Sequence, residues 1–404
     1  MIVIGLMSGT SMDGVDAALM EIEGDDPRDA TWSVLAFRSM AYGEARRERL
    51  RAAVDHGDAA ALCDLHADLG EWLGEAGRAV VEEAGLSPAD VAAVGSHGHT
   101  VWHRPPADGK RGATLQLGDP ATIAALTGIP VIADFRSADV AAGGHGAPLV
   151  PWADRILFSL PERARALQNL GGVGNVTWLP PRGSRVPPVA FDTGPGNGLL
   201  DAAARRATGG RSDMDVDGRM AAAGRTDPDL LARLLSHPFL ALPPPRSTGR
   251  ETFGPELVDE LAEEIGLGAH DDASAWNDLL ATLTAFTVRT VDDAYRAWIV
   301  PRGVDEVVLT GGGARNPELV RRLRDALSGI PVRTGPEALG MDPDAREAAA
   351  FALLAWAHLK GHAGNVPEAT GASGPRVLGS WTPAPGRGAA LPPDRIPWHR
   401  RAEP

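Results

Sequence analysis

The chain has 404 residues, 53 acidic against 39 basic side chains, a net charge of −14 and an apolar share of 44%. That length predicts two domains of about 150–200 residues each, and the apolar share excludes general disorder. The negative charge disfavours a nucleic-acid partner, which needs a basic face, but leaves open a nucleotide held by local backbone amides.

A single cysteine, Cys63, excludes a disulfide framework and a multi-thiolate zinc site. It reads as a small buried residue in a helix. The chain opens on IVIGLM without a basic leader, and no uncharged apolar run nears the roughly 18 residues of a spanning helix. A soluble, cytoplasmic protein is expected. The two lysines, Lys110 and Lys360, lie in neither a phosphate-loop nor a protein-kinase strand context, which excludes those routes to nucleotide chemistry.

In chain order, IVIGLMS reads as a buried strand, GTSMDG as its turn and VDAALMEIE as the returning strand. Residues 44–84 read as helical. VAAVGSHGHTVWHRP predicts a short strand running into a polar loop with His97, His99 and His103. ATLQLGDPATIAALTG follows as strand, turn and helix. PVIADFRSADVAAGGHGAPLVP then gives a strand and a glycine-rich loop, with a domain boundary expected around 138–150. The second half restarts the pattern: RALQNLGGVGNVTWLP is a hairpin, and PPVAFDTGPGNGLLDAAARRATG is strand, glycine turn and helix. DLLATLTAFTVRTVDDAYRAWI is a helix, VDEVVLTGGGARNPELVRRLRDAL is strand, triple glycine and helix, and PDAREAAAFALLAWAHL is a last helix. The alternation implies an α/β fold with mixed sheets, and two halves that each open on a hairpin suggest duplication.

Four glycine-containing turns follow apolar strands: SGTSMDG at 8–14, NLGGVGN at 169–175, DTGPGNG at 192–198 and TGGGARN at 310–316. Any one of them could be an ordinary hairpin turn. Together, with hydroxyl residues and acids at their tips, they point to backbone amides converging on an anion. TGGGARN has a dinucleotide-loop context, but Asn316 takes the third glycine's place and no strand-ending acid follows about twenty residues on. Asp192 ends the apolar stretch VAFD, where ligands bind in α/β sheets, and it is the candidate general base. A helix cap is the plainer alternative, disfavoured because the helix starts only near Gly198. Asp13 and Asp16 could hold Mg²⁺ directly or through water; a solvent-facing Asp16 is equally open. The three histidines lack cysteine or acid partners for a closed metal site and suit hydrogen bonds to a hydroxylated substrate. Ser159, Ser212 and Ser247 lack the G-x-S-x-G context of acyl hydrolases.

Nine segments carry a resemblance over roughly residues 2 to 380: GLMSGTSMDGVDAAL, GSHGHTVWHRP, LQLGDP, ADFRSADVAAGGHGAPLVP, NLGGVGNVT, FDTGPGN, STGRETFG, LTGGGARNP and MDPDAREAAAFALLA. The chain resembles the bacterial anhydro-N-acetylmuramic acid kinases, within the actin/hexokinase/chaperone-ATPase superfamily. The resemblance implies two ribonuclease-H-like (actin-like ATPase) domains around an ATP cleft. The first would span 1–140, joined by about 366–404, and the second 141–365. It implies ATP and Mg²⁺ as cofactors, 1,6-anhydro-N-acetylmuramic acid as substrate, N-acetylmuramic acid 6-phosphate as product, a role in peptidoglycan recycling, and a homodimer. Carried over, Gly9, Thr10, Ser11, Met12, Asp13, Gly14, Val15 and Asp16 would wrap the ATP phosphates. Gly171, Gly172, Gly311, Gly312 and Gly313 would complete that site, and Asp192 would be catalytic. His97, Arg136 and Glu347 would line the sugar pocket. His99 and His145 stand where glutamine is common and Arg246 where lysine is common; tuned substrate contacts and a pH-sensitive affinity are expected from them. The rival readings are another kinase of the superfamily, acting on a free sugar or a carboxylate, and an ATP-switched binding module.

Overall fold

The computed structural model describes residues 1–9, 12–107, 110–249, 252–267 and 273–385. They pack as two units, Met1–Leu157 with the chain from Asp344 onward, and Phe158–Pro343. Residues 141–157 and 344–365, assigned from sequence to the second domain, thus belong with the first unit.

In the first unit the apolar run β1 (Ile2–Ser8) is the central strand. It pairs antiparallel with β2 (Gly14–Glu23), which pairs antiparallel with β3 (Thr31–Ala41). On its other side β1 runs parallel to β4 (Val91–Arg104). β5 (Ala113–Leu117) folds back along the end of β4, and β4 pairs parallel with β6 (Val131–Ala133). The second unit contains β7 (Arg165–Leu170), β8 (Val173–Leu179), β9 (Val189–Pro195), β10 (Glu306–Thr310) and β11 (Val332–Thr334), in the order β11-β10-β7-β8-β9. A last short strand, β12 (Ser380–Thr382), returns to pair antiparallel with β6.

The two sheets repeat one another. β3-β2-β1-β4-β6 and β9-β8-β7-β10-β11 share the same order, with the first two pairings antiparallel and the last two parallel. That is the mixed-sheet duplication expected of ribonuclease-H-like domains.

Small residues let a helix lie directly on the first sheet. Gly5 and Gly95 face each other across β1 and β4. A Cβ at Gly5 would come within 1.7 Å of the Ala348 carbonyl oxygen, and one at Gly95 within 2.2 Å of that of Phe351. The alanine-rich helix Arg346–Lys360 occupies that space, and this packing draws the chain from Asp344 onward into the first unit. The opposite face is covered by the helix Ala59–Glu83, through Leu65, Leu69, Leu73 and Val80. Cys63 lies off that stripe and is exposed, not buried as the sequence suggested. In the second unit the helix Ala273–Ala294 carries the core residues Leu279, Leu280, Leu283, Phe286 and Val291.

Candidate active site

The turn between β1 and β2 is closed by Met12 N–H donating to the Gly9 carbonyl at 3.1 Å, with Met12 at φ 56°. Thr10 and Ser11 lie outside the described residues. Tyr42 N–H donates to the Asp13 carbonyl at 2.8 Å, and a Cβ at Gly14 would sit 2.4 Å from the Met40 carbonyl oxygen, so the turn is tied to the end of β3. Beneath it runs a buried chain: the Tyr42 hydroxyl donates to Ser8 Oγ at 2.9 Å, and Ser8 Oγ lies 3.0 Å from His99 Nδ1. Burial pushes Tyr42 up to about 12 and His99 down to about 4.

The histidines lie on strand β4 and not in a loop, because pairing with β5 (His99 opposite Leu117, His103 opposite Thr114) extends the strand to Arg104. His97 is buried against the Phe351 ring, centroids 4.6 Å apart. Its Nδ1 sits 3.0 Å from the Gly98 carbonyl oxygen, so Nδ1 carries the proton. Nε2 is therefore an acceptor, and it receives Arg136 Nε at 3.1 Å and Nη2 at 2.9 Å. Burial first, and the Arg136 charge second, hold His97 down to about 3, so it is neutral. Arg136 Nη1 donates to the Gly146 carbonyl at 2.9 Å. Glu347 stands in the first turn of its helix, where burial of the carboxyl raises its pKa, the charges of Arg346 and Arg136 opposing the rise and that of Asp16 adding to it. The first unit thus brings Asp16, His97, Arg136 and Glu347 into one electrostatic cluster. Among the described residues no group of three or more His, Cys, Asp or Glu could hold a metal. Asp13 and Asp16 fit only a hard cation that keeps water and phosphate ligands, the habit of Mg²⁺.

In the second unit three glycine turns meet. The amides of Gly196 and Gly198 donate to the Gly172 carbonyl at 3.1 and 3.2 Å, and that of Asn197 to Gly171 at 2.6 Å. A Cβ at Gly196 would lie 2.1 Å from the Gly171 oxygen. Gly311, at φ +79°, approaches Asn169 Oδ1 so closely that a Cβ would sit 2.5 Å away, whereas Gly312 faces open space. Thr287, absent from the sequence reading, donates to the Gly196 carbonyl at 3.0 Å and ties this turn to the long core helix. Asn316 caps the helix Pro317–Ala326, its Oδ1 accepting from the amides of Glu318 and Leu319 at 3.1 Å each.

Asp192 is in mid-strand, since β9 continues through Pro195. The register slips beside it: Asn175 faces Asp192 and Gly174 faces Gly194, leaving Thr193 as the extra residue of a bulge. The amide of Asp192 donates outside the ladder, to Arg246 O at 3.0 Å. Its carboxylate is held by one oxygen: Oδ2 accepts from Thr248 N–H at 2.8 Å and Ser247 Oγ at 3.1 Å. Oδ1 has no hydrogen-bond partner among the described residues. Burial raises the Asp192 pKa, opposed by the Thr248 and Ser247 hydrogen bonds and the Arg246 charge.

Ser247 therefore serves the carboxylate, a use visible from sequence only in the STGRETFG segment. Arg246, expected at the substrate, is instead a brace. Its guanidinium donates to the carbonyls of Asp192, Leu240 and Leu242 at 2.9, 2.8 and 2.9 Å. It also stacks over Phe191 and Phe239, 5.5 and 5.2 Å from their centroids.

The second unit thus holds a carboxylate anchored by one oxygen beside converging glycine turns, and the first an arginine held by a neutral histidine. The family model for anhydro-N-acetylmuramic acid kinase matches residues 1–384. The anhydro-N-acetylmuramic acid kinase of Caldanaerobacter subterraneus subsp. tengcongensis is 43% identical over 385 residues, covering 94% of this chain and 96% of that protein. The protein of that name from Salinibacter ruber is 44% identical over 386 residues, covering 94% and 95%. Among solved structures, the ROK hexokinase of Thermus thermophilus matches with a TM-score of 0.37 and 18% identity, covering 88% of this chain and 99% of that one. With the family model and both relatives spanning nearly its whole length, the chain belongs to the anhydro-N-acetylmuramic acid kinase family.

Proposed function

We propose that the chain is an ATP-dependent phosphotransferase that converts 1,6-anhydro-N-acetylmuramic acid and water to N-acetylmuramic acid 6-phosphate, in peptidoglycan recycling. The observation that carries this reading is the Asp192 carboxylate, fixed through Oδ2 and, among the described residues, without a partner at Oδ1. Such a group can take a proton from a water without losing its position.

In this reading water attacks the anomeric carbon, and its proton passes to Asp192 Oδ1. The bond from C1 to O6 breaks, O6 keeps the electron pair, and O6 displaces ADP from the γ-phosphorus. The amides around Gly9–Gly14, Gly171–Gly172 and Gly311–Gly313 would bind the ATP phosphates, and amides aimed at developing charge are typically worth about 3–4 kcal/mol each. Mg²⁺, when bound with the nucleotide, would offset phosphoryl charge, with Asp13 and Asp16 holding it directly or through water. His97 keeps Arg136 extended toward the sugar together with Glu347.

Incubating the protein with the anhydro sugar, ATP and ¹⁸O-water, followed by mass analysis, tests the coupling. One solvent oxygen at C1 of the phosphorylated product is expected; an unlabelled product sinks it. We also infer a cytoplasmic homodimer, which fractionation and sedimentation at micromolar concentration would test.

A further inference from the structure

Four polar side chains form one row across the second sheet. Thr310 of β10 faces Asn169 of β7, Asn169 faces Asn175 of β8, and Asn175 faces Asp192 of β9. Directly opposed residues share a face. The neighbouring row on that face, two residues away along each strand, is Val308, Leu167, Thr177 and Ala190, largely apolar. The polar row thus sits where the sheet leaves the core, at the carboxyl end of β7 and β10, the edge at which ligands bind in such sheets.

Two members of the row have assigned work: Asp192 is the base, and Asn169 touches Gly311. Asn175 has none. It is half-buried, and among the described residues no hydrogen bond reaches its carboxamide. It belongs to the strand that leaves the Gly171–Gly172 turn, and it stands opposite the carboxylate whose Oδ1 likewise has no partner among the described residues. Opposed side chains in an antiparallel pair have Cβ atoms about 4.5–5.5 Å apart, a span that one water fills between two short side chains. The bulge at Thr193 fixes this pairing: in an unbroken register from Gly174 and Gly194, Asn175 would face Thr193.

We propose that Asn175 is a second catalytic residue of the ring-opening step, which rests on the kinase reading above. Its carboxamide oxygen accepts one hydrogen of the attacking water while Asp192 Oδ1 accepts the other. The Asp192-bound proton is the one transferred as the water oxygen bonds to C1. The hydrogen held by Asn175 stays on the new C1 hydroxyl, and the C1–O6 electron pair leaves on O6. An uncharged amide suits the place: a carboxylate there would repel Asp192 and the nucleotide phosphates.

The test compares Asn175→Ala and Asn175→Asp with the unaltered protein, using the anhydro sugar and ATP·Mg²⁺, with thermal midpoints as the folding control. Asn175→Ala should lower kcat about 10- to 100-fold, with the KM for ATP within about threefold. Asn175→Asp should move the acid limb of the kcat/KM profile upward by about one pH unit, because like charges raise each other's pKa. A merely structural asparagine would lose kcat only along with the thermal midpoint, and one whose side chain points away from Asp192 would leave the acid limb unmoved. An Ala variant within twofold of the unaltered kcat, or an Asp variant with an unmoved acid limb, overturns the proposal. If the unaltered protein does not turn over the anhydro sugar, the kinase reading fails and the water's role falls with it. In that case a ¹³C titration of the Asp192 carboxyl in Asn175→Asp still shows whether the two side chains are coupled.

Discussion

Because Ser247 and Thr248 both direct their hydrogens at Oδ2 of Asp192, an amide at position 192 keeps the shape of the site and loses the base. Asp192→Asn should cut kcat about 10³-fold while ATP still binds, measurable by calorimetry. Burial raises this carboxyl above its ordinary 3.8, so the fold favours the protonated form. Stability from this group therefore falls as pH rises through the raised pKa, and activity that uses the carboxylate as the proposed base should climb in the same window. Asp192→Asn should accordingly melt no lower than the unaltered protein at neutral pH. Ser247→Ala removes a hydrogen bond to the charged form, and should move the acid limb of kcat/KM further up and lower kcat about fivefold. His97 and His99 are held down to about 3 and 4, so neither titrates between pH 5 and 8. The pH-sensitive affinity expected of His99, His145 and Arg246 should therefore not come from His99: His99→Gln should leave the pH dependence of the KM for the sugar unchanged over that range. His97→Phe, which removes the acceptor for Arg136, should raise that KM about tenfold without changing the KM for ATP.

Among the elements, the strands with unbroken apolar runs, β1, β7 and β10, were legible in the sequence, as were the glycine turns that follow them. β3 was not: its exposed and half-buried residues alternate weakly along TWSVLAFRSMA, and it exists because β2 offers a ladder. The histidine segment was misread for a similar reason, since its strand continues only where β5 pairs with it. Asp192 was legible as a residue type at a strand, but the bulge that aims it depends on register, which no local pattern encodes. The pair Gly5 and Gly95 carried no sequence signal, their meaning lying in a helix some 250–340 residues away in the chain. Gly5→Ala should destabilise the protein by about 2–3 kcal/mol in urea unfolding, the overpacking range. It should also weaken sugar binding, because the helix it displaces carries Glu347.

For the molecule as a whole, the doubled topology was legible as two hairpin-first halves, yet the boundary positions were not, because composition barely changes near Leu157 or Asp344. The second unit is one continuous stretch, Phe158–Pro343, with its own apolar core, and the first is built from two segments. A chain ending at residue 343 should therefore keep slow amide exchange in β7–β11 and lose it in β1–β6, read by hydrogen-exchange mass spectrometry. The split also sets a timetable for synthesis. On the ribosome the first sheet emerges early but cannot be covered until the helix Arg346–Lys360 is translated, nearly 190 residues after Leu157. At about 5–20 residues per second the nascent chain carries that bare glycine-lined face for roughly 10–40 s, and the later unit is finished first. The open face during that interval is where a chaperone would engage this protein.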